Sequence, residues 1–447
     1  MVGAALALLA IQGRSLSRPM NVVVVTLDTT RADRLSAYGF ASGRTPALDR
    51  LAREGLVFDY ATSVAPLTRP AHASLFTARV PPHHGVRDNA GAPLATQPTL
   101  AELLRERGLR TGAFVSSIVL QKGTGIEQGF DIYNDTSGAA CDRVRRRRPG
   151  DETVTEALRW LRTASSAPFF LWVHLYDAHQ PYQLPRGEAD ATIVDPYADA
   201  ISFMDRQLAR VLDYLDRQDL RKNTIVVVAG DHGESLGEHG EQAHGIFVYE
   251  SVLHVPLLIS VPGFAPRRIA GVVSIVDVMP TILDLVGVTL HDVDGVSLLP
   301  AIARGEADRE VYSETLYPQH LGWSALRALR AGRYKAIAAP KPELYDLLAD
   351  PWEEHNLAEG HAIAMAAMLE RISEIDTTTG VAAAAPIDSD RLRQLAALGY
   401  IGGAPRSQPV AASGADPKDE IAEYEHRMAT RVAWLLPERC ESRIPGR

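Results

Sequence analysis

The chain has 447 residues, 46% of them hydrophobic and 23% charged, with a formal net charge of −9. The acidic balance excludes a general nucleic-acid binder, and the apolar fraction excludes disorder and collagen-like repeats. Two cysteines, Cys141 and Cys440, are too few for a disulfide framework or a Cys-rich zinc site. At about 100–200 residues per domain, the length holds two or three domains, or one large α/β domain with an appendage.

The chain opens on an apolar run, Val2 to Ile11, followed by Arg14 and Arg18. It falls short of the roughly 20 residues that a membrane span needs, and no positive residue precedes it. Residues 1–19 therefore read either as a signal-type segment or as an apolar extension. A periplasmic or extracellular location is the expectation, with the cytoplasm as the alternative. No later segment reaches spanning length.

Asn21–Leu27 (NVVVVTL) is a continuous apolar, β-branched run, the pattern of a strand covered on both faces. Similar runs recur at Ala113–Ser117, Pro168–Tyr176, Thr224–Gly230 and Pro256–Val261. Helical patterns lie between them at Thr45–Glu54, Thr99–Arg107, Asp151–Arg162, Ala198–Asp216 and Asp277–Leu285. Such alternation predicts an α/β fold with a mostly parallel central sheet, in which ligands bind at the carboxyl ends of strands. From about Thr377 the composition shifts to Ala, Pro, Gly and Ser, a linker around a short docking helix. Asp419–Leu436 reads as one amphipathic helix without an evident surface to pack on. No internal repeat is visible.

The strand ends carry chemistry. Asp28-Thr29 follows the first run; His174, Asp177 and His179 cluster around the end of another; Asp231-His232-Gly233-Glu234 follows Thr224–Gly230. Carboxylates and imidazoles at several strand ends can converge on a divalent metal, although any one of these Asp residues is equally a helix N-cap. A helix through Ala71–Ala78, with Pro70 in its first turn, puts Thr68 at the helix start, where free N–H groups and the helix dipole favour an anion. From spacing alone Thr68 is either an N-cap or a nucleophile.

Six segments together resemble the sulfatase-like branch of the alkaline phosphatase superfamily: TLDTTRADRLSAYG (Thr26–Gly39), TPALDRLAREG (Thr45–Gly55), APLTRPAHASLFTAR (Ala65–Arg79), GDHGESLGEHG (Gly230–Gly240), HGIFVYESVLHVPLLI (His244–Ile259) and DVMPTILDLVG (Asp277–Gly287). ELYDLLADPWEEHNLA (Glu343–Ala358) is similar to the family's C-terminal end-piece, so the resemblance runs from about Met20 to Ala358. It implies a three-layer α/β/α catalytic domain over residues 20–310, a small C-terminal α+β subdomain over 311–375, and a linker and tail over 376–447. It also implies one divalent cation on Asp28, Thr68, Asp231 and His232, with Ca²⁺, Mg²⁺ or Mn²⁺ suited to the oxygen-rich set and Zn²⁺ a further option. Where relatives carry a second Asp, this chain has Thr29, a weak ligand at best.

The resemblance departs at the nucleophile. Formylglycine sulfatases carry Cys or Ser there, within C-x-P-x-R; this chain has Thr68, with His72 where the Arg would stand. Thr cannot become formylglycine. It can attack directly, as in family phosphodiesterases, phosphonate hydrolases and phosphoglycerol transferases. A sulfated Thr lacks the exit open to a hydrated aldehyde, whereas a phosphorylated Thr is turned over by in-line attack at phosphorus. Phosphate or phosphonate esters are therefore expected ahead of sulfate esters. By position, His244 replaces an active-site Lys and His179 a histidine at the leaving-group side, so both are candidates for acid–base work, and His72, His179 and His244 for substrate contact. The family's Lys and His after the third strand are unmatched, since the chain reads Val115-Ser116-Ser117. A second metal on Asp177 and His179 is the less favoured variant. Arg143–Arg148 reads as a solvated loop and His83-His84 as loop residues near the site. The expectation is a hydrolase of a small-molecule, glycan or lipid ester. A transferase of the phosphoglycerol or phosphoethanolamine type and a non-catalytic anion-binding relative are the rivals. Oligomeric state is left open.

Overall fold

In the computed structural model, which describes residues 20–95, 97–135, 148–307, 309–376 and 414–435, the first apolar run forms strand β1 (Asn21–Leu27). Successive side chains point to opposite faces of a strand. Val22 and Val24 thus enter one hydrophobic core, and Val23, Val25 and Leu27 enter another on the far face. Strand β5 (Phe169–Leu175) and strand β6 (Thr224–Gly230), equally buried, flank β1 in parallel. They join β2 (Leu56–Thr62), β3 (Arg110–Val115), β4 (Ile132–Asn134), β7 (His254–Val255), β8 (Leu257–Ser260) and β9 (Arg267–Ser274) in a nine-stranded sheet of order β4-β3-β5-β1-β6-β8-β2-β7, with β9 pairing β2. Only β7 and β8 run antiparallel to their partners. Helices Pro46–Glu54, Gly150–Ala164 and Pro196–Arg217 cover one face. Helices Thr68–Thr77, Leu100–Glu106 and Val278–Leu285 cover the other, completing the three-layer α/β/α arrangement.

A second, antiparallel sheet of order β10-β11-β12-β13 follows: β10 (Glu310–Thr315), β11 (Leu326–Ala331), β12 (Tyr334–Ala338) and β13 (Glu343–Asp346). Helix Ala362–Asp376 packs on it through Met365 and Ile372. The seam between the sheets is polar and paired. Lys335 Nζ lies 3.0 Å from Glu250 and 2.8 Å from Glu353, and Arg330 also reaches Glu250.

Several expectations change. The run Pro256–Val261 is the antiparallel strand β8, and β2 and β9 were not foreseen as strands. The helix expected from Ala71 begins at Thr68, because Leu67 is its extended N-cap. The tail helix, Pro417–Leu435, does have a partner. Ile421 is buried, its side chain lying against Gly240; Tyr424 meets Trp323 edge-on at 5.6 Å; and Glu425 accepts the Gln242 N–H at 3.1 Å. Arg148 is buried rather than solvated, donating to Thr153 Oγ1, to Asn134 and to the Val115 carbonyl. Residues 1–19, 143–147 and the segment 377–413 with its expected docking helix lie outside the described residues. Among the described residues no helix is long and apolar enough to cross a membrane.

Candidate active site

The register of the central strands assembles the site. Thr26 lies opposite His174 on β5, and Leu27 opposite Gly230 on β6, so the residues that follow, Asp28 and Asp231, emerge side by side. Around β1 the chain has strands on either side, the kind of position where α/β sheets open a crevice. Thr68, the first residue of its helix, enters from above. Its hydroxyl donates to Asp28 Oδ2 at 3.1 Å and lies 3.2 Å from His232 Nε2. All four side chains are fully buried.

Hydrogen bonding fixes most of the imidazole tautomers. His232 Nδ1 bonds the Gly233 carbonyl at 2.9 Å, which accepts only, so Nε2 carries the lone pair. His174 Nδ1 accepts the Ser116 N–H at 3.4 Å, and its Nε2–H donates to Asp28 Oδ2 at 3.1 Å. His72 Nδ1–H donates to the Thr68 carbonyl at 2.7 Å, while its Nε2 accepts from the Thr26 hydroxyl at 2.9 Å. The Thr26 oxygen in turn accepts the Trp172 indole N–H at 3.0 Å. Trp172, Thr26, His72 and Thr68 thus form one oriented chain ending on the Thr68 backbone.

Charge is concentrated here, with His232 as the first group that opposes it. Burial pushes the Asp28 carboxyl up to about 7, against the pull of His232 and the Thr68 hydroxyl. Burial raises Asp231 as well, and the Asp28 carboxylate adds to the effect. For His232, burial opposes the charge, but Asp231 and Asp28 outweigh it and raise its pKa. Burial lowers His72 to about 3 and His174 to about 4, so both are neutral.

Asp28 Oδ1, Asp231 Oδ2 and the Thr29 hydroxyl are buried without a hydrogen-bond partner. Buried carboxylate oxygens are ordinarily paired or bound to a metal. Asp28, Asp231 and His232 each offer a ligand atom, all within 4.8 Å of one another. The two orphaned oxygens and the His232 lone pair are a donor set that fits a divalent cation. Thr29 closes the rim in the left-handed region, φ 51°, a conformation that costs a β-branched residue of order 1–3 kcal/mol. Its N–H holds Asp231 Oδ1 at 3.2 Å. A second buried group of ligand atoms, His72, His174 and Asp231, has its imidazole nitrogens bonded to protein partners.

The side wall is built by His179 and His244. The His244 ring lies 4.5 Å from that of His232 and 4.8 Å from that of His179, and His179 stacks on Tyr176 at 4.4 Å. His244 Nδ1 meets Glu234 Oε1 at 2.8 Å. Glu234, fully buried, is pushed up to about 8 by burial, and His244 is driven well below the usual imidazole range by burial.

The fold therefore gathers Asp28, Thr68, Asp231 and His232, with His179 and His244 beside them. It puts His72 beneath Thr68, with both ring nitrogens bonded internally. Asp177 accepts the Gly150 N–H at 3.2 Å at a helix start, and among the described residues neither Asp177 nor His179 joins a cluster of three ligand atoms. His84 bonds Ser74 at 2.8 Å and His83 bonds Asp294 at 2.7 Å. Sequence reasoning leaves His174 and Glu234 among the strand-end groups that can converge on a metal, without a specific role. His174 lies opposite Thr26 on adjacent strands, a register that no local pattern encodes, and Glu234 sits inside the GDHGE segment as one more strand-end acid.

Comparison with known proteins identifies the family. Residues 20–288 match the sulfatase family, and residues 237–377 match the family described as N-sulphoglucosamine sulphohydrolase, C-terminal. The choline-sulfatase of Rhizobium meliloti (strain 1021) is 26% identical over 429 residues, covering 76% of this chain and 82% of its own. The N-acetylgalactosamine-6-sulfatase of Canis lupus familiaris is 28% identical over 385 residues, covering 71% and 72%. Among solved structures, the phosphonate monoester hydrolase of Agrobacterium radiobacter superimposes with a TM-score of 0.68 at 22% identity, covering 80% of this chain and 95% of that one. A protein solved with its substrate D-glucosamine-2-N,6-O-disulfate gives 0.68 at 21% identity, covering 80% and 97%.

Proposed function

The chain belongs to the sulfatase family of the alkaline-phosphatase-like superfamily and is a hydrolase of ester bonds, and from that premise we propose that it cleaves phosphonate or phosphate esters through a covalent intermediate on Thr68. The observation that carries the proposal is the Thr68 hydroxyl, fully buried, 3.1 Å from Asp28 Oδ2 and 3.2 Å from His232 Nε2. No cysteine or serine stands at that position to become an aldehyde.

Asp28 through Oδ1, Asp231 through Oδ2, His232 through Nε2 and Thr68 would hold the divalent cation. When bound, it supplies the positive charge that lowers the hydroxyl's pKa and draws density from a non-bridging ester oxygen. Thr68 Oγ1 forms the new bond to phosphorus as its proton passes to Asp28 Oδ2. His174, bonded to that same oxygen, keeps it aimed at Thr68. The bond from phosphorus to the leaving alcohol breaks, and the departing oxygen takes a proton from His244 Nε2 as the Glu234 carboxyl, bonded to His244 Nδ1 at 2.8 Å, passes one to the ring. His179 lines the same wall. Water then attacks phosphorus, gives its proton back to His244, and releases Thr68 with its proton restored. His72 holds the Thr68 carbonyl and is a positioning residue.

Sulfate ester hydrolysis is the second reading, and the names of the sulfatase relatives favour it. The test measures turnover of 4-nitrophenyl phenylphosphonate, bis(4-nitrophenyl) phosphate, 4-nitrophenyl phosphate and 4-nitrophenyl sulfate with Ca²⁺, Mg²⁺, Mn²⁺ and Zn²⁺, and looks for phosphothreonine at residue 68 in acid-quenched protein by mass spectrometry. Phosphonate or diester turnover with a phosphorylated Thr68 is expected. Turnover confined to the aryl sulfate, with no modified Thr68, would overturn the proposal.

A further inference from the structure

His244 stands at the end of a loop that closes on itself. Ser235 N–H bonds the Ala243 carbonyl at 2.6 Å, and Gly237 N–H bonds that of Glu241 at 2.9 Å. The outer turn, Leu236 to Gly240, is half-buried to exposed, and Gln242 is exposed. Gly237, His239 and Gly240 all have positive φ, at 113°, 51° and 85°. A turn of this kind has little core of its own to hold it.

From outside, the tail helix Pro417–Leu435 holds it. Ile421, Tyr424 and Glu425, spaced i, i+3 and i+4, share one helical face. A Cβ on Gly240 would stand 3.3 Å from Ile421 Cγ2, so the bare glycine backbone seats this buried side chain. Glu425 Oε1 accepts the Gln242 N–H at 3.1 Å. Tyr424 packs edge-on against Trp323, and its hydroxyl bonds that of Tyr317. Tyr317 in turn lies against Gly245, the residue after His244, where a Cβ would stand 3.6 Å from its ring. One helix face therefore reaches the chain on both sides of His244. The helix is itself moored on the second sheet: Lys418 Nζ lies 2.6 Å from Glu343, Lys341 Nζ lies 2.6 Å from Asp419, and Asp416 accepts the Lys341 N–H at 2.9 Å. Asp28 and Asp231, by contrast, are carried by β1 and β6 in the middle of the main sheet.

We propose that the tail helix is a positioning element for ester hydrolysis: through Ile421, Tyr424 and Glu425 it sets where His244 stands against the leaving alcohol, while the carboxylate end of the site forms without it. The inference rests on the reading of His244 as a group that meets the leaving alcohol. A misplacement of about 1 Å in such a group, caused far from the chemistry, costs about 100-fold in rate. A loop with few internal contacts needs an outer support to keep that tolerance, and the face of the tail helix supplies it.

The experiment is a double-mutant cycle in the full chain, run on whichever aryl ester of the panel above is turned over fastest. Ile421→Asp puts a charge where the helix meets Gly240, and Glu425→Ala removes the bond to Gln242. Each is measured alone and together with His244→Ala. Ile421→Asp is expected to lower kcat/KM between about 10- and 100-fold, mostly through kcat, with faster amide exchange in residues 237–245. Mn²⁺ affinity, read by calorimetry, should stay within about 2-fold of wild type, and in the His244→Ala background the same substitution should cost less than about 2-fold more, because the loss passes through His244. Glu425→Ala should repeat the pattern at smaller size, and it carries the test if Ile421→Asp does not fold. Equal losses with and without His244, a loss of Mn²⁺ affinity, or unchanged turnover in both variants would overturn the role of the tail while leaving His244 in place. Wild-type turnover in His244→Ala would remove His244 from the leaving-group side, and this inference with it, while the assignment of Thr68 would still stand or fall on the phosphothreonine.

Discussion

Two buried clusters of charge occupy this molecule, and they are opposites. At the seam between the sheets, Glu250, Arg330, Lys335 and Glu353 pair with one another, and Lys335 is only 1% exposed. At the tips of β1 and β6, Asp28 and Asp231 are as deeply buried, yet each has an oxygen without a partner, and the neighbouring Thr29 sits in the left-handed region. In the seam each carboxylate faces a cation of the protein, even though Arg330 Nε and Glu353 Oε1 make no hydrogen bond, and the cluster ties one sheet to the other. The other is held together by the surrounding fold against its own repulsion, the arrangement expected where a cation and a reacting anion must later fit. Depth of burial does not distinguish them; what distinguishes them is whether the protein has answered its own charges.

The comparison breaks most visibly in activity. Thr68→Ala should lower ester hydrolysis by at least about 10³-fold, while circular dichroism and the melting temperature stay near wild type, because the lost hydroxyl bonds only groups that the cation would occupy. Wild-type turnover in that variant removes the nucleophile. The next largest effect is on stability. Lys335→Met leaves Glu250 and Glu353 facing each other in the interior, and chemical denaturation should show a loss of about 3–5 kcal/mol, as breaking a buried pair does. Asp28→Asn should act with the opposite sign: at pH 8 with chelator present, the variant should be more stable than wild type, by on the order of 1 kcal/mol, and inactive. Destabilisation by Asp28→Asn in chelator would mean that the two clusters are alike after all.

The pH dependence sharpens the same contrast. The folded Asp28 carboxyl stands at about 7, above its unfolded value of 3.8. A group raised in this way contributes stability that is present below 3.8 and lost as pH rises through about 7, at up to about 1.4 kcal/mol per pH unit. Calorimetry should therefore find that the stabilisation added by Mn²⁺ grows between about pH 4 and 7, as the anion that binds it forms. The smallest effect concerns the rim. Thr29→Gly relieves the left-handed strain and should raise stability in chelator by about 1 kcal/mol, read from the melting temperature.

How much of this the primary structure reveals follows from where the information lies. NVVVVTL announces a strand buried on both faces, and Asp28, Thr68 and Asp231-His232 stand at local boundaries, a strand end or a helix start, that a reader can locate. β2 escapes notice because LVFDYAT breaks its apolar run with Asp59 and Tyr60, the latter 42% exposed, and its partners β8 and β9 lie some 200 residues away. His72 invites a substrate contact because its place in the motif is visible, whereas the bonds that tie it down come from Thr26 and the backbone of its own helix. Arg148 looked solvated as the last of a basic run. Its burial depends on Asn134, Thr153 and the end of β3 closing around it. Local patterns, then, locate residues at the ends of elements; what each one faces depends on pairings between distant segments.

The tail helix adds an order of events. A ribosome delivers the chain from its N-terminus, and early segments fold as they emerge. Ile421 and Glu425, which brace Gly240 and Gln242 just ahead of His244, are delivered some 180 residues after the loop they support. During synthesis the carboxylate-bearing tips of β1 and β6 can thus be in place while the histidine wall still lacks its outer brace, so this corner of the enzyme matures last.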